Sequence, residues 1–315
     1  MMTLQRMNKA MECMRTINEP VEFSGSLGSK LFTNGATLRR LWTEGKWVEG
    51  PVWRPSEQCL LWSDIPNNRI MRWHATDGVR VWRKPSDFSN GNTLDHEGRL
   101  VTCEHGSRSV TRTELDGTRT TLASHYKGKR LNSPNDVVVK SDGSIWFTDP
   151  PYGILSNYEG YKANSELGAN YVFRLDPGTR HLEVVADEFV KPNGLAFSPD
   201  ERTLYISDTG RSHDPDGPHH VRAFDLVEGR SLTGGRVLAE IEPGVSDGFC
   251  VDVSGHIFTS AGDGVQVLTP EGTLIAKVRV PEIVSNCCFG GPHRDRLFIT
   301  ATTSLYAIQL ATTGM

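Results

Sequence analysis

The stretch "NDVVVKSDGSIWFTD", residues 135–149, reads as two short strands around a tight turn. β-branched and aromatic residues fill both arms, and Ser-Asp-Gly-Ser between them suits a hairpin. A polar residue, Asn135, opens the first arm, and an acid, Asp149, closes the second. The pattern recurs in "EGPVWRPSEQCLLWSD" (49–64), "NGNTLDHEGRLVTCE" (90–104) and "NGLAFSPDERTLYISD" (193–208). It recurs again in "DGFCVDVSGHIFTSA" (247–261) and "NCCFGGPHRDRLFITA" (286–301). The first positions are 41, 45, 58, 54 and 39 residues apart. Six hairpins at this spacing predict an all-β, six-bladed β-propeller of four-stranded antiparallel blades around a central channel.

The last unit supplies only three strands before the chain ends. "TLRRLWT" (37–43) is strand-like and precedes the first unit, so it is expected to complete the final blade and close the ring. This places an N-terminal extension at 1–36 and the propeller at 37–315. With 31 Gly, 17 Pro and 37% apolar residues among 315, the chain has the punctuation and core content of such a fold. A net charge of −4 gives no electrostatic reason for nucleic-acid binding. No apolar run is long enough to span a membrane, and "MMTLQRMNKAMECMRTINEP" lacks the apolar segment of a signal peptide. A cytoplasmic protein is the expectation, starting at Met1, Met2, Met7, Met11 or Met14. Cys13, Cys59, Cys103, Cys250, Cys287 and Cys288 lack metal-pair spacing and read as reduced, mostly buried thiols.

In a propeller the first position of each inner strand sits at one mouth of the channel. Those positions are Glu49, Asn90, Asn135, Asn193, Asp247 and Asn286, and every one carries a side-chain oxygen. Asn and Asp are common in turns, but Glu is not, and turn preference does not explain six oxygens facing one axis. Carboxylates and amides without His or Cys are hard ligands, suited to Ca²⁺ or a similar divalent ion. Asp64, Glu104, Asp149 and Asp208 end the returning strands, so they form a second acidic ring near the same face. Asp64 reads as a strand-closing acid. Asp149 precedes a connection, 150–170, long enough to be a lid or substrate wall. His105 follows a returning strand near the mouth, whereas His219 and His220 read as a solvated loop. There is no Gly-x-Ser-x-Gly elbow and no phosphate loop.

"EGPVW", "SPNDVVVKSDGSIWFTDPPYG", "KPNGLAFSPDERTLYISDT" and "SDGFCVDVSGHIFTSAGDGVQVLTPEG" resemble the gluconolactonase/regucalcin family (senescence marker protein, luciferin-regenerating enzyme). The similarity is strongest to its bacterial gluconolactonases and runs from about residue 45 to the C-terminus. The resemblance implies a metal-dependent propeller that hydrolyses lactones. It implies metal ligation by Glu49, Asn193 and Asp247, with Asn135 touching metal or substrate. It also implies Asp149 as the base that takes a proton from water; Asp208, from its place at the end of a returning strand, is the second candidate. Asn90, His105, Asn135 and Tyr152 are the expected contacts to substrate hydroxyls. Where animal members carry an arginine two residues before the Asn135 equivalent, this chain has Ser133, so sugar recognition differs in detail. The expected reaction is hydrolysis of a sugar lactone such as D-glucono-1,5-lactone, with one divalent ion, Ca²⁺ before Mg²⁺, Mn²⁺ or Zn²⁺. Competing readings are a metal-dependent lactonase or arylesterase with another substrate, a metal-free condensing enzyme, and a non-enzymatic metal-binding propeller. The expected partner is a small-molecule sugar lactone, with no nucleic acid or membrane; a homodimer is compatible with the sequence.

Overall fold

A computed structural model describes residues 15–315, with six antiparallel sheets arranged as propeller blades and a small separate hairpin of His125–Tyr126 and Lys129–Arg130. Cys13 and the candidate start methionines lie outside the described residues. Blade 1 uses Val48–Arg54, Cys59–Asp64, Arg69–His74 and Gly78–Arg83; blade 2 uses Ser89–Leu94, Leu100–Glu104, Ser109–Thr113 and Arg119–Ala123. Blade 3 is Val137–Val139, Ile145–Asp149, Tyr171–Leu175 and Leu182–Ala186. Blade 4 is Pro192–Phe197, Thr203–Asp208, His220–Val227 and Ser231–Glu240. Blade 5 is Phe249–Val251, Ile257–Ala261, Gly264–Leu268 and Leu274–Arg279; blade 6 begins Val284–Gly290, Arg296–Ala301, Ser304–Gln309.

The ring closes as the sequence predicts. Leu38–Thr43 pairs antiparallel with Ser304–Gln309, aligning Thr43 with Ser304 and Trp42 with Leu305. Upstream of residue 37, Thr16–Ile17 and Val21–Phe23 add fifth strands to blades 6 and 5.

Burial explains why the inner strands read as continuous apolar runs rather than alternating ones. A blade is sandwiched between two neighbours, so both faces of its middle strands are covered. Ile145–Asp149 is buried at every position, whereas Gly78–Arg83, an outer strand, has no buried residue. Aromatic pairs fill the spaces between blades: Trp53 of blade 1 stacks on Phe298 of blade 6 with ring centroids 5.6 Å apart. The five described cysteines are free thiols.

Candidate active site

The mouth of the channel is built by one repeated device. Each polar mouth residue on blades 1, 2, 4 and 5 is followed by glycine, and that glycine lies against the inner strand of the next blade. A Cβ on Gly50 would fall 2.1 Å from the Asn90 carbonyl oxygen, and one on Gly194 would fall 2.5 Å from that of Asp247. Only glycine permits this approach. The Gly91 and Gly194 amides donate to the carbonyls of Asn135 and Asp247, each at 2.8 Å. Hydroxyls on the returning strands add a second tie. Ser63 donates to the Asn90 carbonyl (2.7 Å), Thr148 to that of Asn193 (2.8 Å) and Ser207 to that of Asp247 (3.1 Å). The motif "EGP" therefore has a physical reading: Gly50 lets two blades meet, which brings Glu49 to the axis.

Above this mouth lies a cavity of about 510 Å³. Glu49, Asn90, Asn135, Asn193 and Asp247 contribute to its floor and walls. The connection after Asp149 covers it, with Tyr152, Leu155, Tyr158 and Glu159 facing inward. The Tyr152 hydroxyl is already engaged, 2.6 Å from Thr209 Oγ1 and 2.8 Å from Ser212 Oγ, so this residue ties the lid to blade 4 and presents its ring as a wall. Ser133 is fully buried; its hydroxyl donates to the Pro150 carbonyl (2.6 Å) and accepts from the Gly153 amide (2.9 Å), fastening the base of the lid.

The floor is acidic and uncompensated. Burial pushes the Glu49 carboxyl well above the usual range, and the charges of Asp247 and Asp136 push it further. Burial likewise raises Asp247, with Glu159 and Asp136 adding to the effect. Among the described residues neither acid forms an ion pair. Asn286 donates from Nδ2 to Glu49 Oε2 at 3.0 Å, and its own Oδ1 accepts from the Cys287 amide at 2.8 Å. It therefore orients Glu49, and it does not line the cavity. Asn193 Nδ2 faces Thr209 Oγ1 at 3.3 Å, which leaves its Oδ1 for the cavity. The Asn135 side chain makes no hydrogen bond among the described residues. Buried carboxylates without cationic partners are costly unless a cation meets them. Glu49, Asp247 and the amide oxygens of Asn193 and Asn135 fit such an ion, and among the described residues no cluster of three His, Cys, Asp or Glu offers an alternative site.

The second acidic ring does not face the cavity. Asp64 accepts from the Lys46 amide (3.1 Å), Asp149 from that of Asn132 (2.8 Å) and Asp208 from that of Val190 (2.8 Å). Each donor lies three residues before a mouth residue, so the acids clamp the loops that lead into the inner strands. Asp208 also accepts from the amides of Lys191 and Gly210, which commits both of its oxygens. Glu104 is held by Ser107, Thr111 and Arg119. Asp149 is fully buried, and neither it nor Asp208 is among the cavity residues. Burial moves Asp149 up to about 7, against the amides of Asn132 and Ser133 and the charge of Arg108. The expectation that Asp149 or Asp208 takes a proton from water gains no support from this geometry: both Asp208 oxygens and Asp149 Oδ2 are held by loop amides, and Asp149 Oδ1 is buried without a hydrogen-bond partner. His105, expected as a substrate contact, is 1% exposed, lies behind Asn90 and does not line the cavity.

Sequence reading missed Glu159, Thr209, Arg211 and His213, all of which line the cavity. They sit in connections with no repeat, and only the length of 150–170 pointed to one of those segments. Glu159 is half-buried on the lid, with no side-chain hydrogen bond among the described residues, and burial raises it to about 7.

The sequence profile described as "SMP-30/Gluconolactonase/LRE-like region" matches residues 47–303. The chain belongs to this family. A gluconolactonase of Zymomonas mobilis is 31% identical over 95% of this chain and 88% of its own length. A solved gluconolactonase structure from Xanthomonas campestris superposes with a TM-score of 0.87 at 38% identity, covering 94% of this chain and 97% of that one. A calcium-binding protein, regucalcin, from Agrobacterium tumefaciens shares the fold at a TM-score of 0.72 and 20% identity, over 88% of this chain and 94% of that one. Within the SMP-30/gluconolactonase family, the resemblance carried by the quoted motifs therefore holds over the whole propeller.

Proposed function

We propose that this protein hydrolyses a sugar lactone of the D-glucono-1,5-lactone class, with a divalent cation, Ca²⁺ first, held by Glu49, Asn193 and Asp247 and flanked by Asn135. The observation that carries this reading is the pair of buried, unpaired carboxylates beside amide oxygens on the floor of one lidded cavity. Relatives named gluconolactonase and pentonolactonase support the lactone as substrate. Bound there, the cation would supply charge stabilisation to the carbonyl oxygen as it becomes an oxyanion.

The chain's own groups do the rest. With Glu49 and Asp247 engaged on the floor, Glu159 is the uncommitted carboxylate of the cavity. It accepts the proton of the attacking water and returns it to the ring oxygen as the ester bond opens. A carboxyl held near 7 suits both directions of that transfer. The lid excludes bulk water around it. Ca²⁺ acidifies water less than Zn²⁺ does, so a protein base is needed with the former.

The test is acid release from glucono-1,5-lactone above the spontaneous rate, using chelated protein and then Ca²⁺, Mg²⁺, Mn²⁺ or Zn²⁺. Cation-restored turnover is expected, and Glu159→Gln should lower kcat by ~10²–10⁴ while cation affinity is kept. Cation binding without turnover on this or other lactones and aryl esters would leave a non-enzymatic metal-binding propeller. Lack of cation binding removes the central argument.

A further inference from the structure

His105 joins the lid to the channel wall through both ring nitrogens. The imidazole lies at the end of the second strand of blade 2, and Gly153 of the lid packs flat against it. A Cβ on Gly153 would come 2.4 Å from His105 Cβ. Nδ1 is 3.0 Å from the backbone oxygen of Glu159, and Nε2 is 3.2 Å from Asn90 Nδ2. A backbone carbonyl only accepts, so Nδ1 carries the hydrogen. Burial depresses the imidazole pKa to about 4, so the ring is neutral and Nε2 is a bare lone pair.

That lone pair dictates the orientation of Asn90. Only the amide nitrogen can satisfy Nε2; the flipped carboxamide would oppose two acceptors. The Asn90 oxygen is thereby turned the other way, where it has no hydrogen-bond partner although the residue is 3% exposed. A buried carbonyl left in this state is unfavourable, and a donor entering the site would recover that cost. Asn90 lines the cavity from blade 2, whereas Glu49, Asn193 and Asp247 belong to blades 1, 4 and 5. A hydroxyl of a bound polyol ring is a donor of the right kind.

We propose that His105 is a positioning residue that bridges the lid backbone at Glu159 to Asn90 Nδ2, fixing Asn90 Oδ1 as the acceptor for one substrate hydroxyl. Asn90 is then the residue that selects hydroxylated over deoxygenated lactones. This rests on the lactonase reading of the same cavity. The lid and the recognition group are set together: the carbonyl that fixes the tautomer belongs to the same segment that carries Glu159.

The experiment has two arms on the full chain. The first records the imidazole nitrogens of His105 by long-range ¹⁵N–¹H NMR in protein without substrate. An Nδ1–H tautomer is expected, and an Nε2–H signal overturns the proposal. The second measures kcat/KM for glucono-1,5-lactone and for analogues each lacking one ring hydroxyl, in wild type, Asn90→Ala, His105→Phe, His105→Gln and the double variant Asn90→Ala/His105→Phe. Wild type should discriminate against one analogue by roughly tenfold, the worth of one well-made hydrogen bond. Asn90→Ala and His105→Phe should each erase that ratio, and the double variant should lose nothing more from it. His105→Gln, which keeps one donor and one acceptor, should retain part of it and serves as the folded control. A ratio that survives His105→Phe, a uniform loss on every substrate, or loss of cation binding in Asn90→Ala overturns the proposal. Wild-type inactivity on every lactone, with the Nδ1–H signal present, overturns the lactonase reading and leaves the His105–Asn90 arrangement supported.

Discussion

Asp149 shows how far one residue's role is legible from sequence. Its acid at the end of a strand, ahead of a long connection, looks the same whether it faces a cavity or a loop amide. The register decides. Thr148 reaches across to the Asn193 carbonyl of the next blade, and alternation along the strand turns Asp149 the other way, onto the Asn132 amide. Asp149→Asn keeps an oxygen acceptor for that amide. The expected outcome is turnover within about tenfold of wild type and unchanged cation affinity, measured by steady-state kinetics and calorimetry. A loss of ~10²–10⁴ in kcat with an unshifted melting temperature would instead restore Asp149 as the base. The six mouth positions were legible because the repeat placed them at equivalent points, while the choice of Glu49, Asn193 and Asp247 among them came from the family resemblance. Glu159 was not, because no repeat or turn preference fixes where a lone carboxylate in a long loop will point.

Elements carry the site through the glycine after each mouth residue. The six-fold repeat made the strands and their order readable, but the contacts between blades are a matter of sub-ångström fit, which composition does not encode. Gly194 illustrates the demand. A methyl group there would meet the Asp247 carbonyl oxygen at 2.5 Å and Gly248 Cα at 2.9 Å, both backbone atoms that cannot swing aside. Gly194→Ala should therefore push blades 4 and 5 apart at the level of the floor. The expected cost is about 1–3 kcal/mol of stability, from overpacking. Asn193 and Asp247 straddle that contact, so cation affinity should fall as well. Thermal melts with and without Ca²⁺ test both parts, and a variant with wild-type stability and affinity would show that this contact accommodates a methyl group and does not set the floor.

At the scale of the whole molecule, the propeller gathers acids from separate blades around one axis and pays for it in electrostatics. The closing strand Leu38–Thr43, pinned between Thr16–Ile17 and Ser304–Gln309, keeps the ring from opening to relieve that strain. Asp136, Asp149 and Glu159 are each raised by burial to about 7, and Glu49 and Asp247 are raised too. A carboxyl with a folded pKa above its unfolded value holds its proton more tightly in the native state. Its stabilising contribution is complete below about pH 4 and is lost as pH rises through about 7. His105, held neutral with a pKa of about 4, acts in the opposite sense, but its effect is spent by about pH 6.5. Between roughly pH 6.5 and 8 the acids act alone among these groups, and chelated protein should lose stability steadily as pH rises. Each kcal/mol lost appears as about 2–4 °C in Tm for a chain approaching this size. Saturating Ca²⁺ should flatten that slope, because an ion bound to Glu49 and Asp247 favours their charged forms and stabilises the folded state by mass action. Differential scanning calorimetry across this range, with and without the ion, reads both effects. A chelated protein whose Tm is level or rises from pH 6.5 to 8 would mean that these acids are compensated in solution, and the case for a cation on the channel floor would fall with it.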